Sequence, residues 1–289
     1  MPSQGMFKNL GKAFSRKSGT EIDAKTQQEI NKVPGAELSA KLDPWWWLVV
    51  VVAAIIILLI IIKSNPYWNI LKFVRDGIWV TVLLTVVAFF FTLIIGLIGG
   101  LGRIAKNPII HLIATLYVEI VRGIPLLVQL IWWYFAAPAV IQKLGGWMHI
   151  GFMAHYQSSA IPLAIMGLAI CYGAYMSEIF RAGIESIPKG QMEAARSLGM
   201  SYMQSMRYIV IPQALRVVLP PVGNEFIMLI KDTSLVSVVA VEDLTRRGRE
   251  YMAAHFNPIE TWTFIALLYL ILTLFSARLI AWLENRRKY

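Results

Sequence analysis

The sequence predicts an all-α integral membrane protein with about six transmembrane helices. Of its 289 residues, 57% are apolar and only 15% are charged, whereas about a quarter of the residues are charged in an ordinary soluble domain. The charged residues lie in short segments between long apolar runs. The first run, WWWLVVVVAAIIILLIII at 45–62, carries no charge, and at about 1.5 Å per residue it nearly crosses a hydrocarbon core of about 30 Å.

Five further spans are predicted, at 78–101, 125–141, 161–179, 215–241 and 261–283. The third follows a first helical piece that starts at 109, and the segment RGIP at 122–125 kinks or ends that piece because proline lacks a backbone donor. The fifth is expected to be irregular because it contains Pro220, Pro221 and Gly223. Such backbone is tolerated at membrane depth only beside protein or a water-filled cavity. Glycines in the second span predict close approach of another helix; they are Gly96, Gly99, Gly100 and Gly102.

Basic residues predict the orientation of the chain, because they favour the cytoplasmic side. They concentrate before the first span, after the second, in the insert at 180–216 and at the C-terminus. Six spans place these four segments on one side, so both termini are expected in the cytoplasm and the protein in the cytoplasmic membrane. Two groups run against this trend: Lys63, Lys72 and Arg75, and a partly helical loop with Arg246, Arg247 and Arg249.

The segment EAARSLGMSYMQSMRYIVIP at 193–212 predicts two short helices outside the membrane. The first is expected at 191–198, with Glu193 near its start and Gly199 in a left-handed conformation at its end. Ser201 and Gln204 predict a capping box for the second, with Met203, Met206 and Val210 on one face and Pro212 at its end. The residues alone leave two interpretations open: a rigid helix–turn–helix knuckle, or a hairpin lying on lipid headgroups.

Charged and polar residues within the spans are costly and are candidates for function. Glu119 with Arg122, and Glu178 with Arg181, are three apart and can pair on one helix face; they either anchor helix ends or surround an inner gate. A polar cluster in the fifth region either lines a substrate path or stabilises the fold. It comprises Asn224, Glu225, Lys231, Asp232, Thr233 and Ser234. Gln129 is a weaker candidate for the path.

The knuckle segment resembles the signature loop of ABC importer permeases. The pattern is Glu-Ala-Ala, three residues, Gly, nine residues, Ile, one residue, a hydrophobic residue and Pro. It is met here by Glu193, Ala194, Ala195, Gly199, Ile209, Ile211 and Pro212, although Ile211 stands where leucine is common. The flanking segments 118–130, 175–199 and 211–235 are similar to the polar amino acid branch, the histidine/glutamine/glutamate/arginine/opine type.

The resemblance implies a type I permease core of five spans at 75–285, with the coupling loop at 188–212. The polar segment 1–44, expected to be cytoplasmic, and the helix at 45–62 are then additions. The implied partners are cytoplasmic ATPase subunits seated on the knuckle, an extracytoplasmic substrate-binding protein, a second permease subunit in a homo- or heterodimer, and an amino acid substrate.

Several other functions lack support in the sequence. The chain has no G-x-x-x-x-G-K-[ST] phosphate loop, so ATP hydrolysis is expected in a partner, and no nucleophile–base pair suggests an enzyme. The net charge of +10 is interpreted as charge flanking the membrane spans rather than as a nucleic-acid surface. The single Cys171 and four scattered histidines predict no metal or cofactor. An ion-coupled secondary transporter is the alternative function, although the internal repeat common in such proteins is absent.

Overall fold

The computed structural model describes residues 45–157 and 159–286, and within these ranges every regular element is helical. The expectations for residues 1–44 lie outside the described residues. The α-helices are α1 (Trp46–Ile62), α2 (Ser64–Arg103), α3 (Pro108–Gly123), α4 (Leu126–Ile131), α5 (Ala137–Trp147), α6 (Gly151–Ala154), α7 (Ala160–Glu185), α8 (Lys189–Ser197), α9 (Tyr202–Ser205), α10 (Ile211–Asp232), α11 (Leu244–His255) and α12 (Pro258–Arg286). Two π-helical turns, Trp132–Ala136 and Met206–Val210, and a 3₁₀ helix, Thr233–Val239, connect some of them.

Three helices are long and apolar enough to cross a membrane: α2, α7 and α12. The pair formed by Pro108–Gly123 and Leu126–Trp147 is bent by 103° and counts as a fourth span if it crosses as one. Helix α1 is apolar but has only 17 residues. The membrane character predicted from composition is confirmed, and the number of six crossings stays a prediction.

Helix α2 is much longer than predicted. The second span was expected at 78–101, but α2 has 40 residues counted from Ser64, with a kink at Asn65, whose backbone angles are not helical. Lys72 and Arg75 therefore lie on a helix rather than in a loop. Ile70 and Val74, four residues apart, are fully buried in a cluster with residues of α11 and α12. Tertiary packing therefore extends the helix beyond its most apolar part.

The glycines of α2 allow close packing against α7, as predicted. A Cβ at Gly96 would lie 2.5 Å from Cβ of Met176, and one at Gly100 would lie 2.9 Å from Cβ of Phe180. Residue numbers rise together along this contact, so α2 and α7 run parallel. Gly183 contacts Val218 while Tyr172 contacts Asp232, so α10 runs antiparallel to α7. Gly167 contacts Leu130 while Gly173 contacts Tyr117, so the α3–α5 segment is antiparallel to α7 as well.

The break at RGIP is confirmed. The fifth region, 215–241, was expected to be irregular because of Pro220, Pro221 and Gly223, but the irregularity begins only after Asp232. These three residues lie inside the continuous helix α10, and the helix gives way to the 3₁₀ segment only after Asp232. Gly223 packs directly against Ile280 of α12, while the carbonyl groups that lose a proline donor belong to residues on the exposed side of α10. Packing on both flanks therefore keeps the helix intact.

The three arginines of the loop that ran against the charge trend lie on α11. Arg246 and Arg247 pair with acidic residues, whereas Arg249 donates to Oγ of Ser237 at 3.2 Å. Nη2 of Arg247 lies 2.7 Å from Asp76 and 2.8 Å from Glu242, and its Nη1 lies 3.0 Å from Glu250. Burial raises the pKa of Glu250, but hydrogen bonds from Arg246 and Arg247 outweigh this effect and hold it below its usual value. These ion pairs explain how the arginines are accommodated on α11, but acidic partners contribute little to the positive-inside rule, so the arginines still run against the predicted orientation.

Candidate functional site

The knuckle, residues 188–212, begins with α8 and turns at Gly199. Gly199 has φ +84°, a conformation that favours glycine. The Met200 amide donates to the Ala195 carbonyl at 3.2 Å and the Gly199 amide donates to that of Arg196 at 3.0 Å, which is a Schellman motif. The left-handed turn predicted from the sequence is confirmed.

The second half of the knuckle starts with the predicted capping box. The Gln204 amide donates to Oγ of Ser201 at 3.3 Å, and the Ser201 amide donates to Oε1 of Gln204 at 2.8 Å. The prediction that Pro212 ends this helix is wrong. Helix α9 continues through the π-helical turn into α10, and Pro212 lies in the first turn of α10, where its missing N–H is tolerated.

Two smaller expectations for the knuckle are also wrong. Met203, Met206 and Val210 were expected on one face, but Met203 is 71% exposed and Val210 only 5%, because the π-helical turn shifts the register between them. Helix α8 begins at Lys189, so Glu193 lies in its second turn rather than at its start.

The tip of the knuckle presents large apolar side chains to the exterior. Leu198 is 85% exposed, Met203 71% and Tyr202 54%, and all three lie within four residues of Gly199. Glu193 and Ala194 are exposed, whereas Ala195 is buried and Ile209 is half-buried. The sequence analysis did not single out Leu198 or Tyr202, although an apolar residue in a polar insert is a signal for an interaction surface.

A second candidate site is a cavity of about 210 Å³ between α4, α7 and α10, named here the acidic cavity. Its lining residues are Leu126, Cys171, Tyr172, Tyr175, Glu225, Met228 and Asp232. The Tyr172 hydroxyl donates to Oδ2 of Asp232 at 2.6 Å. Within the described part of the chain, Glu225 has no hydrogen-bond or ion-pair partner. The Arg122 guanidinium stacks on Tyr175, with Cζ 5.2 Å from the ring centre.

Two helix interruptions meet at this cavity. Helix α3 ends before Pro125, and α10 ends at Asp232. Gln129, predicted as a weaker candidate for the path, is buried and its Nε2 donates at 2.8 Å to both the Val121 and Ile124 carbonyls. Its amide therefore satisfies the backbone groups that the α3–α4 break leaves without helical donors.

The remaining members of the predicted polar cluster divide into two groups. Asn224 and Lys231 are exposed on α10 and have no polar partner among the described residues. Thr233 is fully buried, and its hydroxyl donates to the Ile230 carbonyl at 2.6 Å, which is a structural role. Ser234 is half-buried beside it.

The predicted ion pairs form one network with a member that the prediction missed. Arg181 pairs with Glu178 as expected and also with Glu185. Arg103 of α2 bridges α7 and α3 through Glu178 at 2.5 Å and Glu119 at 3.6 Å. Glu119 therefore pairs with Arg103 rather than with Arg122. Among residues 45–157 and 159–286, no group of three His, Cys, Asp or Glu side chains is placed to hold a metal ion.

Long apolar helices that carry a polar, two-helix knuckle define a helical membrane protein. The family model for "Binding-protein-dependent transport system inner membrane component" matches residues 92–289, and the chain belongs to this family. Its members are membrane components of transport systems, not enzymes. The family result decides against a secondary transporter.

Similar proteins of known role support the same assignment. The chain is 36% identical over 221 residues, 76% of its own length and 95% of the relative, to the glutamine transport system permease protein GlnP of Escherichia coli (strain K12). It is 38% identical over 193 residues, 67% of its length and 75% of the relative, to the L-cystine transport system permease protein TcyB of Bacillus subtilis (strain 168).

Solved structures resemble the chain in fold. A crystal structure of an amino acid ABC transporter with histidines matches with TM-score 0.65 and 36% identity, covering 79% of this chain and 97% of that one. An inward-facing MetNI methionine ABC transporter shares the fold at TM-score 0.61 and 21% identity, covering 76% of this chain and 99% of that one.

Proposed function

We propose that this protein is the permease subunit of an ATP-driven importer of polar amino acids. It works in the cytoplasmic membrane with cytoplasmic ATPase subunits, an extracytoplasmic substrate-binding protein and a second permease subunit. Relatives named for glutamine and cystine transport and the similar amino acid ABC transporter support the substrate class.

In this proposal the chain crosses the membrane six times and both termini face the cytoplasm. Successive spans then cross in alternating directions. The parallel direction of α2 and α7, with α10 antiparallel to both, supports this arrangement. The knuckle, the Arg103 network and the C-terminal end of α12 then face the cytoplasm, and α11 faces the other side.

The knuckle is proposed as the coupling element, and its geometry is the observation that carries the function. A Schellman turn and a capping box fix the angle between α8 and α9, and the exposed apolar tip of Leu198, Tyr202 and Met203 offers a contact surface for the ATPase. Glu193 and Ala194 lie exposed on α8 near this tip, while buried Ala195, with Ile209 and Pro212, belongs to the support that holds it.

The acidic cavity is proposed as part of the translocation path, with Glu225 and Asp232 in its wall and Arg122 at its edge. Asn224 and Lys231 are assigned to the path as well, because a polar side chain exposed at membrane depth is stable only against protein or water. Glu119, Glu178 and Arg181 are assigned to the inner gate; Gln129, Thr233 and Ser234 support the backbone around the cavity.

The test is to change the turn of the knuckle. At Gly199 an added Cβ meets no atom within 4 Å, so a substitution acts through the left-handed backbone, which costs roughly 1–2 kcal/mol for a residue with a Cβ. Gly199→Val should abolish ATP-driven uptake into vesicles that have no ion gradient, while the permease still inserts. Glu193→Lys should weaken co-purification of the ATPase subunit.

Gly199→Asn is the matched control, since asparagine tolerates the left-handed conformation, and it should retain most uptake. Normal uptake by Gly199→Val would show that the knuckle is only a surface hairpin and that coupling lies elsewhere.

A further inference from the structure

The acidic cavity contains more negative than positive charge. Glu225 and Asp232 line it, and Arg122 is the cation at its edge, stacked on the lining residue Tyr175. The charge of Arg122 acts on the Glu225 carboxylate, yet Arg122 forms no ion pair within the described residues. Lys231 is exposed on α10 and is not among the lining residues. The cavity therefore has one cation at its edge and two carboxylates in its wall, a charge balance that suits a ligand with a net positive charge.

The two carboxylates are also well separated. Glu225 and Asp232 are seven residues apart on α10, two helical turns and about 10 Å along the axis. The Tyr172 hydroxyl donates a hydrogen bond to Asp232. The Glu225 carboxylate, without a partner among the described residues, can accept hydrogen bonds from a ligand. A single ammonium group cannot lie within hydrogen-bond distance, about 2.9 Å, of both carboxylates at this spacing. The spacing suits a ligand with two cationic groups, one bound by each carboxylate.

The three charges are not distributed evenly along the cavity. The Tyr172 hydroxyl donates to Asp232 at the end of α10. Tyr175 lies about one turn further along α7, toward Glu225, and Arg122 stacks on its ring. The Glu225 end thus offers one acceptor and one donor group, which matches an α-ammonium beside an α-carboxylate. The Asp232 end offers a carboxylate beside the Tyr172 ring, which matches a cation.

We propose that the acidic cavity binds a basic amino acid of the arginine or lysine type. Glu225 accepts hydrogen bonds from the α-ammonium, Arg122 donates to the α-carboxylate, and Asp232 accepts from the side-chain cation. This assignment rests on the proposed function and adds the substrate class and the role of each charge.

The test measures equilibrium binding to the complete permease–ATPase complex in lipid nanodiscs, without the substrate-binding protein, whose own selectivity would otherwise dominate. The probes are L-arginine, its neutral isostere L-citrulline, and agmatine, which lacks the α-carboxylate. Wild-type complex should bind arginine at least roughly tenfold tighter than either analogue, because each analogue loses one charge-assisted contact.

Each variant should remove a specific difference between ligands. Asp232→Asn should bring arginine and citrulline to within about twofold of each other, and Arg122→Gln should do the same for arginine and agmatine. Glu225→Gln should weaken all three. Glu242→Gln, next to α11, and Arg75→Gln, on α2, change charges outside the cavity and should leave binding unchanged.

Equal wild-type binding of arginine and citrulline, or no saturable arginine binding, would overturn the assignment. ATP-driven uptake of a neutral amino acid by the same complex with its binding protein would then leave the proposed function intact. Loss of ATP-driven uptake for every amino acid would instead count against the proposed function. If Asp232→Asn does not assemble, the comparison of arginine with agmatine binding in Arg122→Gln remains as a test, and a preference for arginine as large as in wild type would contradict the assignment.

Discussion

Replacing Gln129 by methionine should destabilise the protein at the α3–α4 break. Methionine keeps a similar volume but removes the amide that donates at 2.8 Å to the carbonyls of Val121 and Ile124. The Val121 carbonyl retains a long bond from the Ile124 amide at 3.4 Å, whereas the Ile124 carbonyl loses its side-chain donor. At about 1–3 kcal/mol for a buried group left without its partner, the loss at the Ile124 carbonyl is about 1–3 kcal/mol.

The assay is thermal unfolding of the purified full-length protein in detergent. Gln129→Met should lower Tm by several degrees relative to wild type. The matched control is Gln142→Met, because Gln142 also donates to a carbonyl, that of Tyr156 at 2.9 Å, but from an exposed position. A fall in Tm no larger for Gln129→Met than for this control would refute the idea that Gln129 holds the broken backbone.

Three further predictions concern topology, packing and pH. A reporter fused after Tyr289 should be active only in its cytoplasmic form and one placed between α5 and α7 only in its extracytoplasmic form; identical behaviour would contradict six crossings. Gly96→Leu should prevent assembly of the permease, because its Cβ would lie 2.5 Å from Met176, while Gly146→Leu, where a Cβ meets nothing within 4 Å, should be neutral in the same membrane-insertion and size-exclusion assay. Glu250 has a lowered pKa, so its stabilisation is present above the unfolded value of about 4.3 and is lost as pH falls through the lower folded value. Glu250→Gln should therefore reduce Tm at pH 7, and its difference from wild type should shrink below about pH 4; a constant difference would show that the ion pairs do not contribute.

Features set by a few neighbouring residues were predictable from the sequence. The RGIP break, the left-handed Gly199 and the Ser201–Gln204 capping box each depend on local backbone chemistry, namely a missing donor, a missing Cβ and a reciprocal side-chain bond. The close glycine contact of α2 was predictable for a similar reason, because only small residues let two helices approach.

Features set by distant contacts were not predictable. Helix α2 extends well before residue 78, back to the kink at Asn65, because Ile70 and Val74 are buried by residues of α11 and α12, far along the chain. Helix α10 keeps its form through Pro220 and Pro221 because α7 and α12 pack on its flanks. The pairing of Glu119 with Arg103 rather than Arg122 likewise depends on where α2 lies, which spacing along one helix does not reveal.

The absence of a break between α9 and α10 has a mechanical consequence. From Tyr202 to Asp232 the backbone is one continuous helical rod, whose hydrogen-bonding pattern is altered at the π-helical turn Met206–Val210 and at Pro220 and Pro221. At about 1.5 Å per residue this rod is roughly 45 Å long, and its far end carries the Asp232 carboxylate that accepts from the Tyr172 hydroxyl. A tilt of the tip beside Gly199 would therefore move the Asp232 end of the rod, except where the rod bends at the π-helical turn or at the two prolines.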